Sequence, residues 1–534
     1  MRSFGENSVR TFVSRHQKLL YAIFGLLSAL PFVIEEMFFV SFVSYVPLFY
    51  PLVRENQNGK RAFRSLFCFF YPFYFVLYHW FVCLYPLDFA GLGAFESVIV
   101  VAIAILFVPL LHTLIMSLCI ALCYKLCRNT KALMPFVFAF SYMLGEYLQS
   151  VGTFAFPWGR LFVGQIEFLP FLQSASLFGS YFITFIIILI NALLAYSYAS
   201  TGMRKTVSAL LVLFVFLSNL TFGVVRLAMP LECENQITVA ALQGNMSSEM
   251  KWSGNVVENA SNRYLNAAQK AKEYSLENEI DLFVTAETAF PITIVRDGKL
   301  DKTQNSVKVL DFASSVLDST DAVLLLGAFS EYDGKTYNSV YMCTKDGVYA
   351  KTYDKQHIVP FGEFLPYRKV LETLVPPFRE LNLLGDDLVR GKNEEPFETD
   401  KGKIASLVCF DSVFPQLCRY QVKNGARIVA VSTNDSWYKT SKALSQHAAH
   451  SVMRAIENNV SVVRSANTGI SMSINPRGEI TKSLGALKTG FVCDTLPITS
   501  KVTLYTKIGD MILPIGAVFV FLTAILSAYK RKNR

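Results

Sequence analysis

The sequence predicts a membrane α-helical bundle of about eight transmembrane helices joined to an extracytoplasmic α/β domain of layered sheets. Three observations predict it. Over its 534 residues the chain is 52% hydrophobic and only 17% charged, with a mean hydropathy of +0.36. Soluble domains run at about 45–50% apolar and about 25% charged, so fibrous, collagenous and disordered classes are excluded and full solubility with them. The apolar residues are gathered into long runs before Arg226 and after Lys507, while the stretch between has ordinary polarity. Finally, the Lys and Arg residues fall in every second connection between runs.

The runs are 19–34, 37–53, 66–85, 98–124, 132–148, 175–198, 207–225 and 508–529. Most approach the roughly 20 residues that cross a hydrocarbon core. The first two are separated only by Glu35-Glu36, which reads as a hairpin, with one bent helix as the alternative. Orientation follows from the basic residues. Arg2, Arg10, Arg15 and Lys18 precede the first run; Arg54, Lys60, Arg61 and Arg64 lie between the second and third. Lys125, Arg128 and Lys131 follow the fourth, Arg204 and Lys205 the sixth, and Lys530, Arg531, Lys532 and Arg534 the last. The opposite connections hold Glu35-Glu36, Asp88 and, in the longest, only Arg160 as a basic residue. Both termini are therefore expected in the cytoplasm and the large domain outside it. A cleaved signal peptide does not fit, because the first run leads into further runs. The basic segments hold seventeen Lys and Arg against Glu6 and Glu55, so their balance exceeds the whole-chain charge of +9. The positive excess is a topology signal, and a nucleic-acid partner is not expected. The domains are expected at 1–230 (about seven spans), 231–503 (extracytoplasmic) and 504–534 (last span and basic tail).

Ionisable groups inside the runs are few: His79, His112 and Glu146. A transporter would carry its coupling residues there; Glu146 near the outer end of its run either lines a cavity or is a capped carboxylate. The ten cysteines form no CxxC pair, so zinc and redox motifs are absent. Five of them (Cys233, Cys343, Cys409, Cys418, Cys493) fall in the extracytoplasmic part, and an odd number leaves at least one free thiol.

In that part, strands are expected at 236–242, 281–285, 322–328, 337–343, 404–409, 427–432, 460–464 and 470–474, with helices at 255–275, 307–317, 414–423 and 443–457. Strands alternating with helices argue for layered α/β architecture, with reactive groups on strand-end loops. Three such loops combine into one chemistry. Thr285-Ala286-Glu287-Thr288 puts a carboxylate after an apolar strand; Tyr353-Asp354-Lys355 runs into Val359-Pro360-Phe361-Gly362-Glu363-Phe364; and Leu407-Val408-Cys409-Phe410-Asp411 puts a thiol at a strand end. A thiol nucleophile needs a base and a donor for the oxyanion, and Glu, Lys and Cys supply these without histidine. Singly each residue has an ordinary explanation: a buried structural Cys, a capping Glu, a surface Lys. Their order and shared strand-end setting favour the joint reading.

These loops resemble the nitrilase superfamily, whose Glu-Lys-Cys triad sits on an αββα sandwich, and the chain as a whole resembles the apolipoprotein N-acyltransferase family. Further matching segments are Gln243-Gly244-Asn245 with Lys251-Trp252, Thr433-Asn434-Asp435-Ser436-Trp437, Arg454-Ala455-Ile456-Glu457-Asn458, Val463-Arg464 with Asn467-Thr468-Gly469-Ile470-Ser471, and Phe156-Pro157-Trp158. The resemblance implies Glu287 as general base, Lys355 as oxyanion stabiliser and Cys409 as nucleophile. It further implies Glu363 as an additional glutamate and Trp252 as a substrate-site aromatic, with Phe410, Asp411, Asn434 and Trp437 as supporting residues. The implied reaction moves an acyl chain from a phospholipid donor, through a Cys thioester, to the α-amine of a diacylglyceryl-lipoprotein at a bacterial inner membrane. No cofactor, metal or second subunit is called for. The sequence departs from the family twice: Thr285-Ala286 stand where Trp-Pro is usual, and Phe410-Asp411 where Tyr-Glu is usual. Asp shortens the reach by one methylene and Phe loses a hydroxyl, changes that bear on substrate preference and efficiency.

Other residues have simpler expectations. His447 and His450, spaced i, i+3, read as a satisfied helix surface and not as a metal pair. His357 orients the Lys loop. Phe361, Phe364, Pro376-Pro377-Phe378 and 381–384 are expected as membrane-facing lid elements. Two other readings stay open: a membrane-anchored amidase, distinguished by ammonia release from small amides, and a catalytically altered lipid-binding paralogue, distinguished by failure to complement a strain lacking the acyltransferase.

Overall fold

The structure is a computed structural model, described for residues 16–55, 57–87, 92–251, 255–275, 279–295, 304–345, 347–374, 387–392 and 395–533. It divides into two units: Met1–Val82 with Ala102–Ala228 and Asp510–Arg534, and Cys83–Val101 with Met229–Gly509. Trp252, Pro376-Pro377-Phe378, 381–384 and Asp88 lie outside the described residues.

Five helices among the described residues are long and apolar enough to cross a membrane: Glu35–Glu55, Ala94–Cys127, Ser180–Ala199, Gly202–Ala228 and Ile512–Lys532. The apolar runs also contain the shorter helices Gln17–Ala29, Gly59–Leu77 and Met134–Leu148. The first two runs do not make one bent helix, because the helical turn ends at Phe32 and Ile34 is extended. Within the first unit, Gly25 lets the Gln17–Ala29 helix meet Gly59–Leu77 backbone to backbone: a Cβ there would stand 2.1 Å from Phe69 O.

Backbone groups freed inside apolar surroundings need internal partners. Asn191 supplies them where the second run changes from 3₁₀ to α geometry: its Oδ1 accepts from Tyr45 N at 3.0 Å and its Nδ2 donates to Ser41 O at 2.8 Å. Glu146 is the capped carboxylate of the two expectations, accepting from Leu161 N at 3.1 Å and from the Thr184 hydroxyl at 2.7 Å. Arg160 is buried too, with its guanidinium 4.3 Å from the Tyr181 ring centre and donating to the Tyr181 hydroxyl.

The second unit is a four-layer αββα sandwich. One sheet has the order β13-β1-β2-β4-β5-β6, with β3 paired to β4; the other has the order β12-β11-β10-β9-β8-β7. The strands are β1 (Cys233–Gln243), β2 (Leu282–Val284), β3 (Phe290–Val295), β4 (Val323–Tyr332), β5 (Lys335–Thr344), β6 (Gly347–Asp354), β7 (Phe397–Thr399), β8 (Gly402–Val408), β9 (Ala426–Thr433), β10 (Ser461–Ala466), β11 (Ser471–Ile474), β12 (Ile480–Leu484) and β13 (Gly490–Thr499). Period-two alternation decides the layers. Ile237, Val239 and Ala241 of β1 face the core between the sheets, with Val408, Ile428 and Val463 of the other sheet. Ala240 and Leu242 face the opposite way, under helices Val256–Tyr274 and Gln304–Leu317. Helices Pro415–Lys423 and Ala443–Asn458 cover the second sheet; Gln421 pins the first of them by bonding both N and O of Ser406 in β8 at 2.9 Å.

Candidate active site

β1, β2 and β4 run parallel, as do β8, β9 and β10, and β6 follows β4 through two antiparallel pairings. Loops leaving these strands at their carboxyl ends therefore gather at one end of each sheet, the usual place for a site in such folds. Glu287 follows β2, Lys355 follows β6, Cys409 follows β8 and Asn434 follows β9.

The structure brings Glu287, Lys355, Glu363 and Cys409 together. Lys355 Nζ lies 2.9 Å from Glu287 Oε1 and 2.7 Å from Glu363 Oε1, with the ammonium 1% exposed. Asn338 of β5 donates to the same two oxygens, at 2.7 Å and 3.3 Å. Asn434 N donates to Glu287 Oε2 at 2.8 Å, and Val359 N to Glu363 Oε2 at 2.8 Å. The Glu287 carboxylate and the Thr433 hydroxyl both stand near enough to the Cys409 thiol to bear on its ionisation. Burial alone would raise the Glu287 carboxyl, but the Lys355 ammonium holds it below the ordinary carboxylate value. Burial would lower the Lys355 ammonium, and Glu287 and Glu363 instead raise it well above the usual range. Burial and the Glu287 charge push the Cys409 thiol well up. The resting site is a thiol beside an ionised carboxylate and a charged lysine.

The local sequence enforces this placement. Cys409 has φ 50°, a left-handed conformation costing a non-glycine residue roughly 1–2 kcal/mol, which turns the side chain out of the strand. The Glu287 loop packs so tightly on β4 that a Cβ at Gly327 would sit 2.3 Å from Ala286 O. Thr285 stitches this loop to β4, its hydroxyl accepting from Gly327 N at 3.0 Å, and Ser432 donates to Thr285 O at 2.9 Å from the facing sheet. Lys251 is buried with Nζ 3.1 Å from Thr288 O and 3.0 Å from Thr288 Oγ1, and burial lowers its ammonium to about 8.

The second departure is also accommodated. Asp411, fully buried, reaches across to the Lys loop: it accepts from His357 N at 2.8 Å, Gln356 N at 3.2 Å and the Tyr353 hydroxyl at 2.9 Å. Burial raises its carboxyl to about 7 against these donors and Lys355. Phe410 packs edge-on against Phe414 at 5.2 Å, and His357 stacks on the same ring at 3.7 Å. Burial, with help from Arg390, lowers His357 to about 4. Trp437 sits in the short turn 436–438 after β9.

Residues 24–193 match the family model "Apolipoprotein N-acyltransferase N-terminal domain", and 238–500 match "Carbon-nitrogen hydrolase". An apolipoprotein N-acyltransferase of Geobacter metallireducens is 28% identical over 508 residues, 93% of each chain. One of Gloeobacter violaceus is 28% identical over 90% of this chain and 88% of its own, and one of Borreliella burgdorferi 26% identical over 95% of each. The chain belongs to the apolipoprotein N-acyltransferase family. Its second unit has the nitrilase-like fold of the carbon-nitrogen hydrolases.

His447 and His450 correct the sequence reading: both are fully buried, not on a helix surface. His447 enters a network with Asp435, Arg464 and the Cys409 carbonyl. Cys409 Sγ, an Asp435 oxygen and a His447 nitrogen lie within 4.8 Å of one another, with the Arg464 guanidinium 2.9 Å from Asp435. That arrangement is a hydrogen-bonded network carrying its own cation. Asn338 was the other residue the sequence reading passed over. It stands with Ser339 as a polar pair near the start of the stretch 337–343, whose remaining residues are apolar or aromatic.

Proposed function

We propose that this protein transfers a fatty acyl chain from a membrane phospholipid to the α-amine of the diacylglyceryl-cysteine that begins a lipoprotein, through a thioester on Cys409. The observation that carries the reading is the buried Glu287–Lys355–Glu363 cluster against the Cys409 thiol, in a chain that also bears membrane-length apolar helices. In the first half-reaction Glu287 takes the thiol proton as sulfur attacks the ester carbonyl. Lys355 has three N–H groups, two of them directed at Glu287 and Glu363; the third suits the oxyanion of the tetrahedral intermediate. Glu287 then returns its proton to the departing lysophospholipid oxygen, leaving the thioester. In the second half-reaction the lipoprotein amine attacks the thioester, Glu287 accepts the amine proton, and the proton passes to the Cys409 thiolate as the amide forms.

Glu363 would hold Lys355, and Asp411 would tie the Lys loop to the nucleophile turn. Phe410 would fill the space behind it, Asn434 would orient the base, and Trp252 and Trp437 would contact the lipid-modified substrates. Both substrates are anchored in the bilayer, and exposing an acyl chain to water costs about 0.8 kcal/mol per CH₂, which explains why the chemistry is tethered to a membrane bundle. We take 17–32, 59–77 and 134–148 as the spans beyond the five long helices, giving about eight, with 1–230 and 504–534 in a bacterial inner membrane and 231–503 on its outer side. The test is mass spectrometry of lipoprotein N-termini from cells depleted of their own acyltransferase and supplied with this protein. Triacylated N-termini are expected; persistence of free amines with the protein present in the membrane would refute the reading.

A further inference from the structure

A second buried cluster stands on the other side of the nucleophile. Four elements of one sheet layer meet there: the Cys409 turn after β8, Asp435 after β9, Arg464 in β10 and His447 on helix Ala443–Asn458. Asp435 Oδ1 accepts from the Thr433 hydroxyl at 2.9 Å and lies 2.9 Å from His447 Nδ1; Asp435 Oδ2 accepts from Arg464 at 2.9 Å. Arg464 also points an N–H at His447 Nδ1, at 3.0 Å. His447 Nε2 lies 3.2 Å from the Cys409 carbonyl oxygen, to which the Ser412 hydroxyl donates at 2.7 Å.

The hydrogens follow from these partners. The Cys409 carbonyl oxygen beside Nε2 can only accept, which assigns a hydrogen to Nε2; a neutral ring then accepts at Nδ1 from Arg464. An imidazolium would donate at Nδ1 to Asp435 and again carry a hydrogen on Nε2. In either state Nε2–H donates to the carbonyl of the one residue whose backbone is held at φ 50° to present the thiol. Burial, aided by Arg464, keeps the ring in the neutral form. Thr433, whose hydroxyl donates to Asp435, also bears on the ionisation of the thiol.

We propose that His447, fixed by Asp435 and Arg464, is a positioning residue that clamps the Cys409 main-chain carbonyl and so keeps the thiol against Glu287. This rests on the acyl-transfer reading for its catalytic consequence, and on geometry alone for its effect on the thiol. A displacement on the scale of an ångström at a reacting atom costs on the order of 10²-fold in rate.

Both consequences are measurable in the full-length protein. Acyl-enzyme formation is timed on mixed phosphatidylethanolamine–phosphatidylglycerol vesicles, and iodoacetamide alkylation of Cys409 is read by peptide mass spectrometry with exposed Cys233 as internal reference. His447→Ala should lower the maximal acylation rate roughly 10²-fold, leave the KM for phospholipid within about twofold, and slow Cys409 alkylation relative to Cys233. His447→Gln, whose amide N–H can reach the same carbonyl, should recover the rate to within about tenfold of wild type, the worth of one weakened hydrogen bond. His450→Gln, a buried histidine one turn away, should stay near wild type. Where His447→Ala fails to fold, His447→Gln against Asp435→Asn carries the same comparison. Wild-type rates of acylation and alkylation in His447→Ala, equal losses in Ala and Gln variants, or a loss confined to KM would overturn the proposal. A wild-type protein that forms no thioester refutes the acyl-transfer reading instead, and the alkylation ratio then still decides the clamp.

Discussion

Two buried charge clusters flank Cys409, and they differ in how far they are closed. Around Lys355, the carboxylates of Glu287 and Glu363 are 6% and 11% exposed, and one N–H of the ammonium has no acceptor among the described residues. Around Asp435, the side chains of Asp435, His447 and Arg464 are all 0% exposed, and Asp435 takes donors on both oxygens. Both clusters bear the desolvation cost of buried charge. The open one keeps an ammonium and carboxylates with slight exposure to solvent, as the proposed attack on a substrate carbonyl requires. The closed one spends its hydrogen bonds among its own side chains, with one reaching the Cys409 backbone carbonyl. On the proposed reading, chemistry and geometry are divided between two networks that share one cysteine.

The largest effect is expected from emptying the open cluster of its cation. Lys355→Met leaves Glu287 and Glu363 facing each other in a buried site, and should destabilise the fold by about 3–5 kcal/mol. The same change removes the oxyanion donor and should lower acyl transfer by at least roughly 10²–10³-fold. Adding Glu363→Gln should restore much of the stability, read by denaturant unfolding in detergent, while activity stays lost. Recovery of activity in the double variant would mean that Lys355 serves only to neutralise the carboxylates.

A smaller effect separates the clusters by pH. His357, beside the open cluster, is lowered to about 4 by burial, against about 6.5 in an unfolded chain. Between those values the unfolded chain binds a proton that the folded protein refuses, so stability falls as pH drops from 6.5 towards 4. Asp435 in the closed cluster has its carboxyl depressed: burial opposes the shift, but Arg464 and His447 win. Its contribution is present above the unfolded value near 4 and is lost only as pH falls below it. His357→Phe, which keeps the stack on Phe414, should gain on wild type by roughly 1–3 kcal/mol between pH 6.5 and 4. Parallel unfolding curves for the two proteins across that window would remove this distinction.

What could be read from sequence has a physical pattern. The eight strands anticipated are all interior to their sheets, where both faces are buried and the residues form apolar runs, as in Val429–Val431 of β9. The four strands at the ends of the sheet orders, β13, β6, β12 and β7, escaped, as did β3, which pairs only with β4. β12, Ile-Thr-Lys-Ser-Leu, is largely exposed, β13 carries Asp494 and Pro497, and β7 is three residues long. Glu287, Lys355 and Cys409 were legible because each interrupts the polarity pattern at a strand end. Asn338 and His447 were not, because each is a polar residue inside an element, and only the fold reveals that it faces the site. The two departures from the family pattern acquire a role once packed. Thr285 bonds to β4 in the tight space beside Gly327, and Asp411 reaches the Lys loop through three backbone and hydroxyl donors, Tyr353, Gln356 and His357.

The central claim, that Cys409 carries the acyl chain, is tested most directly by intact mass spectrometry of the full-length protein after incubation with phospholipid alone. The account predicts a mass gain of one acyl group on Cys409, removed by neutral hydroxylamine, discharged by a diacylated lipopeptide with a free amine, and missing in Cys409→Ser. Acyl transfer to the lipopeptide by the Cys409→Ser protein at the wild-type rate, or an adduct on any other residue that turns over, would contradict it.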